Sequence, residues 1–157
     1  MQRFKITKEG YQKIKEELNR FLTVERPDVA KAISSAREFG DLSENEEYAT
    51  AKDKQKFIEA MISTLSERLA NAEVVDTKNC KDDFIGFGAK IELLDLNTDK
   101  KIKYQLLSEF ESDLNKGIIA VESLVGKALV GKRKGDEVEI KTPACTKEYE
   151  ILSISYK

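Results

Sequence analysis

The stretch EFGDLSENEEY, Glu38–Tyr48, separates two segments whose apolar residues recur at the helical spacing of three and four. It contains Gly40, the residue type that most often follows the end of a helix. The connection centred on this glycine, Phe39–Ser43, is short. A short connection between two apolar-striped helices predicts an antiparallel helical hairpin. This stretch therefore decides the fold of the first half of the chain.

Each arm of the predicted hairpin carries an apolar stripe. The first arm follows a candidate N-cap at Thr7, and its stripe changes phase near Pro27, which predicts a kinked or restarted helix. The second arm has the a/d spacing of a coiled coil, with Gln55 as its one polar position. The stripe residues are Tyr11, Ile14, Leu18, Phe21, Val29, Ile33 and Ala36 in the first arm, and Ala51, Gln55, Ile58, Ile62, Leu65, Leu69 and Ala72 in the second.

The second half of the chain changes to alternating, β-branched runs bounded by turn residues. Residues 89–96 and 101–107 flank a polar turn and predict a β-hairpin. Further strands are predicted at 118–121, 136–141 and 148–155, together with a short helix capped by Ser123. The sequence therefore predicts an α+β fold in which a helical hairpin precedes an antiparallel sheet with one short helix.

The composition bounds the partners. The 157 residues suit one or two small domains. Residues 1–75 carry 13 basic and 14 acidic side chains, and residues 76–157 carry 14 and 15. Duplex-binding domains usually concentrate Lys and Arg on one face, so we expect only a weak or indirect association with DNA. The sequence shows no targeting signal and no long apolar run, so we expect a cytoplasmic protein without a membrane partner.

The residue types restrict the chemistry that the chain can perform. There is no His, which removes the commonest general base and metal ligand. Cys80 and Cys145 lie far apart and form no CxxC pair, so a zinc site is not expected. The carboxylates are the remaining candidate ligands.

The acidic stretch has two interpretations. As helix chemistry, Gly40 ends the first arm, and either Asp41 or Ser43 caps the second arm with acids in its first turn. As a functional site, the four acids after Gly40 suit a hard cation such as Mg²⁺, which prefers one or two carboxylates and fills its remaining positions with water or phosphate. One hairpin end cannot enclose a metal alone, but it could complete a site that another molecule supplies.

The segment GDLSENEEYATAK, Gly40–Lys52, resembles the Gre family of bacterial transcript cleavage factors. One branch of that family usually has GDLSENAEY, so Glu46 is the single difference within the motif. Similar motifs follow the same order over the whole chain: RPDVAKAISSAREFGDLSENEEY (Arg26–Tyr48), LANAEVVD (Leu69–Asp76), FGAKIEL (Phe87–Leu93), GKALVGKRKGDEVEI (Gly126–Ile140) and YEILSISY (Tyr149–Tyr156).

The resemblance implies a fold and a partner. Residues 1–76 would form a coiled-coil hairpin, and residues 82–157 an FKBP-like domain that docks on bacterial RNA polymerase at the rim of its secondary channel. The hairpin passes down that channel and acts when the polymerase has backtracked and the nascent RNA 3′ end is extruded. The polymerase's own site cuts the RNA, so the resemblance implies an accessory factor rather than an enzyme, expected to be a monomer.

The resemblance also implies roles for single residues. Asp41 and Glu44 match the catalytic acids of the family, which help to hold a second, weakly bound Mg²⁺ and to position water, and Ser43 assists. This Mg²⁺ is shared with the polymerase active site and is not bound stably by the free protein. Arg37 and Lys52, with Lys56 one turn further along, match a basic patch that contacts RNA. Solvated helix surface with local ion pairs is the alternative for those three.

The docking residues implied by the resemblance are Glu122, Ser123 and Leu124. Here the chain departs from the family, since relatives often have SPLA where this sequence has Ser123-Leu-Val-Gly126. Relatives also often have P-x-G where it has Pro143-Ala-Cys145.

Three other classes of protein remain as alternatives. The first is a Gre-like inhibitor that enters the same channel and blocks it, and the acids Asp41 and Glu44 argue against it. The second is a peptidyl-prolyl isomerase, for which the second half offers no Trp and few aromatic residues. The third is a purely structural helical-hairpin adaptor.

Overall fold

The computed structural model describes residues 2–40, 45–77 and 83–156. The chain divides into two compact units. The first comprises Met1–Arg3 and Tyr11–Ala72, and the second comprises Phe4–Gly10 and Glu73–Lys157. The predicted fold class, an N-terminal helical hairpin with a C-terminal sheet and one short helix, is confirmed.

Helices make up the first unit. Helix α1 (Lys8–Arg20), a π-helical turn (Phe21–Glu25) and α2 (Arg26–Arg37) form one arm, and α3 (Glu46–Asn71) forms the other. The predicted stripes supply its core, since the buried side chains are Ile14, Phe21, Val29, Ile33 and Ala36 from one arm and Ala51, Ile58 and Leu65 from the other. No described helix is both long and apolar enough to cross a membrane.

The phase change predicted near Pro27 is present, and a π turn causes it. The Arg26 N–H donates to the Phe21 carbonyl oxygen, five residues back, and Glu25 and Arg26 both keep right-handed helical angles. A π turn adds one residue to a helical turn, so it brings Phe21 and Val29 onto the same face despite their spacing. Pro27, which has no N–H to donate, follows directly. The first arm therefore keeps helical geometry through the phase change.

The second unit contains two sheets. Strands β1 (Phe4–Ile6) and β2 (Ala72–Val74) form a two-stranded sheet that the sequence did not predict. Five strands form the main sheet in the order β5-β4-β3-β7-β6: β3 (Lys90–Asp95), β4 (Lys101–Leu107), β5 (Ile118–Ala120), β6 (Glu137–Lys141) and β7 (Thr146–Ser155). All of its neighbours pair antiparallel except β4 and β5, which run parallel at one edge.

One face of the main sheet builds the core of the second unit. Its strands contribute alternate apolar residues, and helix α4 (Leu124–Leu129) adds the fully buried Leu129. The core residues are Ile85, Ala89, Ile91, Leu93, Leu106, Ile119, Leu129, Val138, Ile140, Tyr149, Ile151, Ile154 and Tyr156. This period-two burial confirms the strand pattern read from the sequence.

Candidate functional site at the end of the hairpin

The first arm ends in a short turn before the acidic stretch. Helix α2 stops at Arg37, and the Glu38, Phe39 and Gly40 amides donate to carbonyl oxygens three residues back at 3.2, 3.2 and 3.4 Å. Gly40 has a φ of +107°, a backbone conformation that residues with a Cβ rarely adopt. The predicted role of Gly40 in ending this arm is confirmed.

Asn45 begins the second arm and ties the two arms together. Its Oδ1 accepts from the Tyr48 N–H at 3.1 Å, which makes Asn45 the N-cap of α3. Its Nδ2 donates to the Ala36 carbonyl oxygen at 2.6 Å. The prediction that Asp41 or Ser43 caps this helix is therefore wrong. The cap lies further along because Asn45 can bond to both arms at once, satisfying a helix-end N–H and a helix-end carbonyl with one side chain.

The predicted catalytic and metal-binding residues lie outside the described part of the chain. Asp41, Ser43 and Glu44 belong to residues 41–44, which connect Gly40 to Asn45 in the sequence. Among the described residues, no group of His, Cys, Asp or Glu side chains could hold a metal ion. The structure thus defines both ends of the acidic connection, Gly40 on one side and Asn45 on the other.

The three predicted RNA-contacting residues follow one flank of the hairpin. The Arg37 guanidinium carbon lies 5.9 Å from the centre of the Tyr48 ring, so a cation–π contact joins the arms. Lys52 lies one helical turn beyond Tyr48, and its Nζ donates to Gln55 Oε1 at 3.0 Å. Lys56 is exposed one turn further on. Arg37 at the end of α2 and Lys52 and Lys56 on α3 therefore extend over about two helical turns of this flank.

The opposite flank of the same end carries acid. A groove of about 440 Å³ runs between the arms, and the described residues that line it include three acids, Asp28, Glu46 and Glu47, and the cation Lys54. Glu46 and Glu47 lie in the first turn of α3, where a carboxylate complements the partial positive charge of the helix N-terminus. The end of the hairpin is therefore basic on one flank and acidic on the other.

An ion pair further along fixes the arms against each other. The Arg26 guanidinium donates to both carboxylate oxygens of Glu59, at 2.8 and 2.9 Å. The hydrogen bond from Arg26 holds the pKa of the Glu59 carboxyl below its ordinary value. Both side chains are about half exposed, so solvent weakens the pair, but the two parallel bonds restrict its geometry.

The predicted docking residues lie at the start of α4 in the second unit. Ser123 is the N-cap: its hydroxyl accepts from the Gly126 N–H at 3.1 Å and donates to the Ala120 carbonyl oxygen at 2.6 Å. Glu122 is exposed, and 57% of Leu124 is exposed at the first helical position. The structure therefore presents one acidic and one apolar side chain on either side of a fixed cap.

The helix at this site forms without the proline that relatives often have. Ser123 has extended backbone angles, φ −69° and ψ 165°, and Leu124 takes the first helical position where a proline is tolerated. Gly126 lies so close to the Ala120 and Val121 carbonyl oxygens that a Cβ would overlap them. Local capping and close packing thus build this element in a sequence that has no proline there.

Two residues of the site were missed by sequence reasoning. Asn45 bonds to both arms, and the Tyr48 ring makes a cation–π contact with Arg37, but neither residue was assigned a role from the sequence. The signal for Asn45 was present, because an Asn directly before two Glu residues matches an N-cap with acids in the first turn. No sequence pattern indicated a role for Tyr48, because its contact is with Arg37 on the other arm and not with a residue near it in the sequence.

Comparison with known proteins gives the same family over both halves of the chain. The family model described as "Transcription elongation factor, N-terminal" matches residues 4–74, and "Transcription elongation factor, GreA/GreB, C-term" matches residues 80–156. Transcription elongation factor GreA of Thermodesulfovibrio yellowstonii is 46% identical over 155 residues, covering 99% of this chain and 98% of that protein. The GreA protein of Pelobacter propionicus is 47% identical over 152 residues, covering 97% and 96%.

Two of the solved structures that match this chain are a GreA factor homolog and a GreA/GreB factor. The GreA factor homolog 1 (Gfh1) of Thermus thermophilus is 27% identical, covers 98% of this chain and 99% of its own, and superposes with a TM-score of 0.45. A GreA/GreB factor from Nitrosomonas europaea is 23% identical, covers 64% of this chain and 93% of its own, and gives a TM-score of 0.44.

Proposed function

Because the chain belongs to the GreA/GreB family of transcription elongation factors, we propose that it rescues backtracked RNA polymerase by stimulating cleavage of the nascent RNA 3′ end. The cut is endonucleolytic and takes place in the active site of the polymerase. In this proposal the hairpin, residues 1–76, enters the secondary channel, and residues 82–157 dock on the polymerase. The chain is then an accessory factor and not an enzyme on its own.

The observation that supports this proposal most directly is the cap at Asn45. Capping was the competing explanation for acids in the connection, but Asn45 caps α3, and Glu46 and Glu47 already occupy the first helical turn. Asp41 and Glu44 are therefore not needed to start this helix. Acids that are not needed as the helix cap favour a functional role at the end of the hairpin.

The donor chemistry of the connection fits magnesium. Mg²⁺ prefers carboxylate oxygens, usually one or two of them, and completes its coordination with water or phosphate. The Asn45 amide is committed to the cap and to Ala36, and the two carboxylates between Gly40 and Asn45 in the sequence are those of Asp41 and Glu44. We propose these two as the residues that hold the ion jointly with the polymerase.

The chain's own residues then have separate tasks. Asp41 and Glu44 present oxygen ligands, and Ser43 helps to orient water beside them. Mg²⁺, when bound, supplies Lewis-acid activation of water and stabilises charge on the reacting oxygens. The basic row of Arg37, Lys52 and Lys56 contacts phosphates of the extruded RNA, which positions it without reading its sequence. Glu122, Ser123 and Leu124 take part in docking.

A cleavage assay on an arrested complex tests this function. A backtracked polymerase complex with labelled RNA is mixed with the protein and Mg²⁺, and shortened transcripts are measured. We expect cleavage with the wild type and its loss with Asp41→Ala or Glu44→Ala, while polymerase binding persists. Glu46→Ala is the matched control, because it removes an acid from the same end but recreates the GDLSENAEY form, and it should cleave normally.

Each result of this assay has a definite meaning. Undiminished cleavage by both Asp41→Ala and Glu44→Ala would sink the assignment of the acids. Slowed elongation without any cleavage by the wild type would favour the channel-blocking inhibitor instead.

A further inference from the structure

Glu111 gathers four hydrogen bonds on one carboxylate in the second unit. Its Oε1 accepts from the Thr7 hydroxyl and from the Thr7 N–H at 3.3 Å. Its Oε2 accepts from the Ser108 N–H at 3.3 Å and from the Ser108 hydroxyl at 3.0 Å. The carboxylate thereby joins the residue before α1 to the loop after β4. Hydrogen bonds to an ionised group are among the stronger ones in proteins.

Thr7 connects the Glu111 carboxylate to the first turn of α1. Its hydroxyl donates to Glu111 and accepts from the Gly10 N–H at 3.0 Å, so it caps the first turn of α1 as the sequence predicted. Gly10 itself makes room for the carboxylate, because a Cβ at that position would overlap Glu111. Glycine costs about 1 kcal/mol relative to alanine inside a helix, so a glycine in this turn needs a reason, and the carboxylate supplies one.

The surroundings hold the carboxylate in place. Ser108 is 0% exposed, and the backbone N–H of Glu111 donates to its carbonyl oxygen at 3.1 Å. The Phe4 and Phe110 rings meet edge to face with centres 4.9 Å apart. The Ile6 carbonyl accepts from the Val75 N–H at 2.9 Å, which ties the segment before α1 to the segment after β2. The hydrogen bonds to Glu111 are thus partly buried, and the other contacts join its neighbours in the same unit.

We propose that Glu111 is a positioning residue, which anchors the first turn of α1 to the second unit and so supports the work of the hairpin. Helix α1 is shared between the units, since Lys8–Gly10 belong to the second and Tyr11 onward to the first. This inference rests on the proposed function, in which one unit docks and the other acts. A loosely held first turn of α1 lowers the fraction of complexes in a productive geometry, and small misplacements cost large factors in rate.

Two substitutions separate anchoring from helix stability. Glu111→Ala removes the hydrogen-bond acceptor, but it also leaves an empty space beside Gly10 in α1. Gly10→Ala in that background fills the vacated space and raises the helix propensity of the turn. The double variant therefore keeps a stable helix without its anchor. Glu109→Ala is the matched control, because Glu109 is an exposed acid in the same loop.

Cleavage is measured at increasing factor concentrations on the backtracked complex, and backbone hydrogen exchange is measured on the free protein. For Glu111→Ala we expect a maximal rate lowered on the order of tenfold, an unchanged half-saturating concentration, and faster exchange at the start of α1. For the Glu111→Ala/Gly10→Ala double variant we expect exchange in α1 to return toward wild type while the maximal rate stays low. Glu109→Ala should match the wild type in both.

The outcomes separate this inference from the function on which it rests. A wild type that does not cleave refutes the proposed function. A wild type that cleaves, with Glu111→Ala at the same maximal rate, refutes the positioning role alone. Recovery of the full rate in the double variant also overturns it, since Glu111 would then serve only helix stability.

Discussion

The Asn45 side chain bonds to the Ala36 carbonyl oxygen at 2.6 Å while it caps the Tyr48 N–H at 3.1 Å. One amide therefore closes the end of the hairpin from both sides. It accepts from an N–H that the first turn of α3 leaves open, and it gives a second donor to the Ala36 carbonyl oxygen, which also accepts from the Phe39 N–H. The two described residues that flank the acidic connection in the sequence, Gly40 and Asn45, therefore both have defined positions.

Asn45→Ala should destabilise the hairpin by about 1–2 kcal/mol, because it removes both the cap and the tie between the arms. Asn45→Asp should cost less, since a carboxylate oxygen can still accept from Tyr48 but no donor faces Ala36. Urea unfolding followed by far-UV circular dichroism measures both. Equal stability of wild type and Asn45→Ala would mean that the amide does not close the hairpin.

Lys56→Gln should weaken the contact with RNA and lower the dependence of cleavage on salt by about one unit of log–log slope, the change expected for one lost phosphate contact. Lys54→Gln is the matched control, because Lys54 is an exposed lysine of α3 that lines the acidic groove instead. Cleavage rates at several salt concentrations provide the comparison. Identical slopes for Lys56→Gln and the wild type would support plain solvated surface.

Leu124→Pro should leave the second unit folded and stabilise it by about 0.4–1 kcal/mol. Leu124 occupies the first position of α4, and Ser123 already has the extended angles that a following proline requires. Leu124→Asp should keep the fold but weaken polymerase binding if this exposed apolar side chain takes part in docking. Thermal unfolding and a polymerase binding assay test the pair, and a large loss of stability with proline would contradict the geometry.

The stabilisation from Glu59 should vanish in acid. Arg26 holds the pKa of Glu59 below its ordinary value of 4.5, so the folded state favours the ionised form. This contribution is present in full above the unfolded pKa and is lost as pH falls through the folded pKa. The stability gap between wild type and Glu59→Gln should therefore be full above pH 4.5 and narrow as the pH falls below that value. In an Arg26→Gln background the same substitution should show no such pH dependence, which thermal unfolding across pH can check.

Periodicity in the sequence predicted most of the framework. The apolar stripes became the buried residues of the hairpin, and the alternating runs became β3, β4, β6 and β7. These patterns are reliable because each repeat reports which face of an element is buried. The phase change near Pro27 was visible too, but a π turn and a kink shift a stripe in the same way, so only the structure identified the cause.

The parts that escaped prediction depend on contacts between distant residues. Strands β1 and β2 have three residues each, too few for an alternation to be recognised. The hydrogen bond between Ile6 and Val75 that accompanies them joins residues on either side of the hairpin in the sequence. The cap at Asn45 escaped because several cap-forming residues follow one another there. Which of them caps depends on where α3 begins, and the structure shows that it begins directly after Asn45, whose side chain also bonds to Ala36.

The magnesium dependence of cleavage tests the central claim most directly. Cleavage of the backtracked complex is titrated with Mg²⁺ for the wild type, Asp41→Asn, Glu44→Gln and Glu46→Ala. If Asp41 and Glu44 help to hold the ion, both amide variants should need on the order of tenfold more Mg²⁺ for half-maximal cleavage, and Glu46→Ala should overlay the wild type. Four overlapping curves would contradict the account, because the acids would then contribute nothing to metal binding.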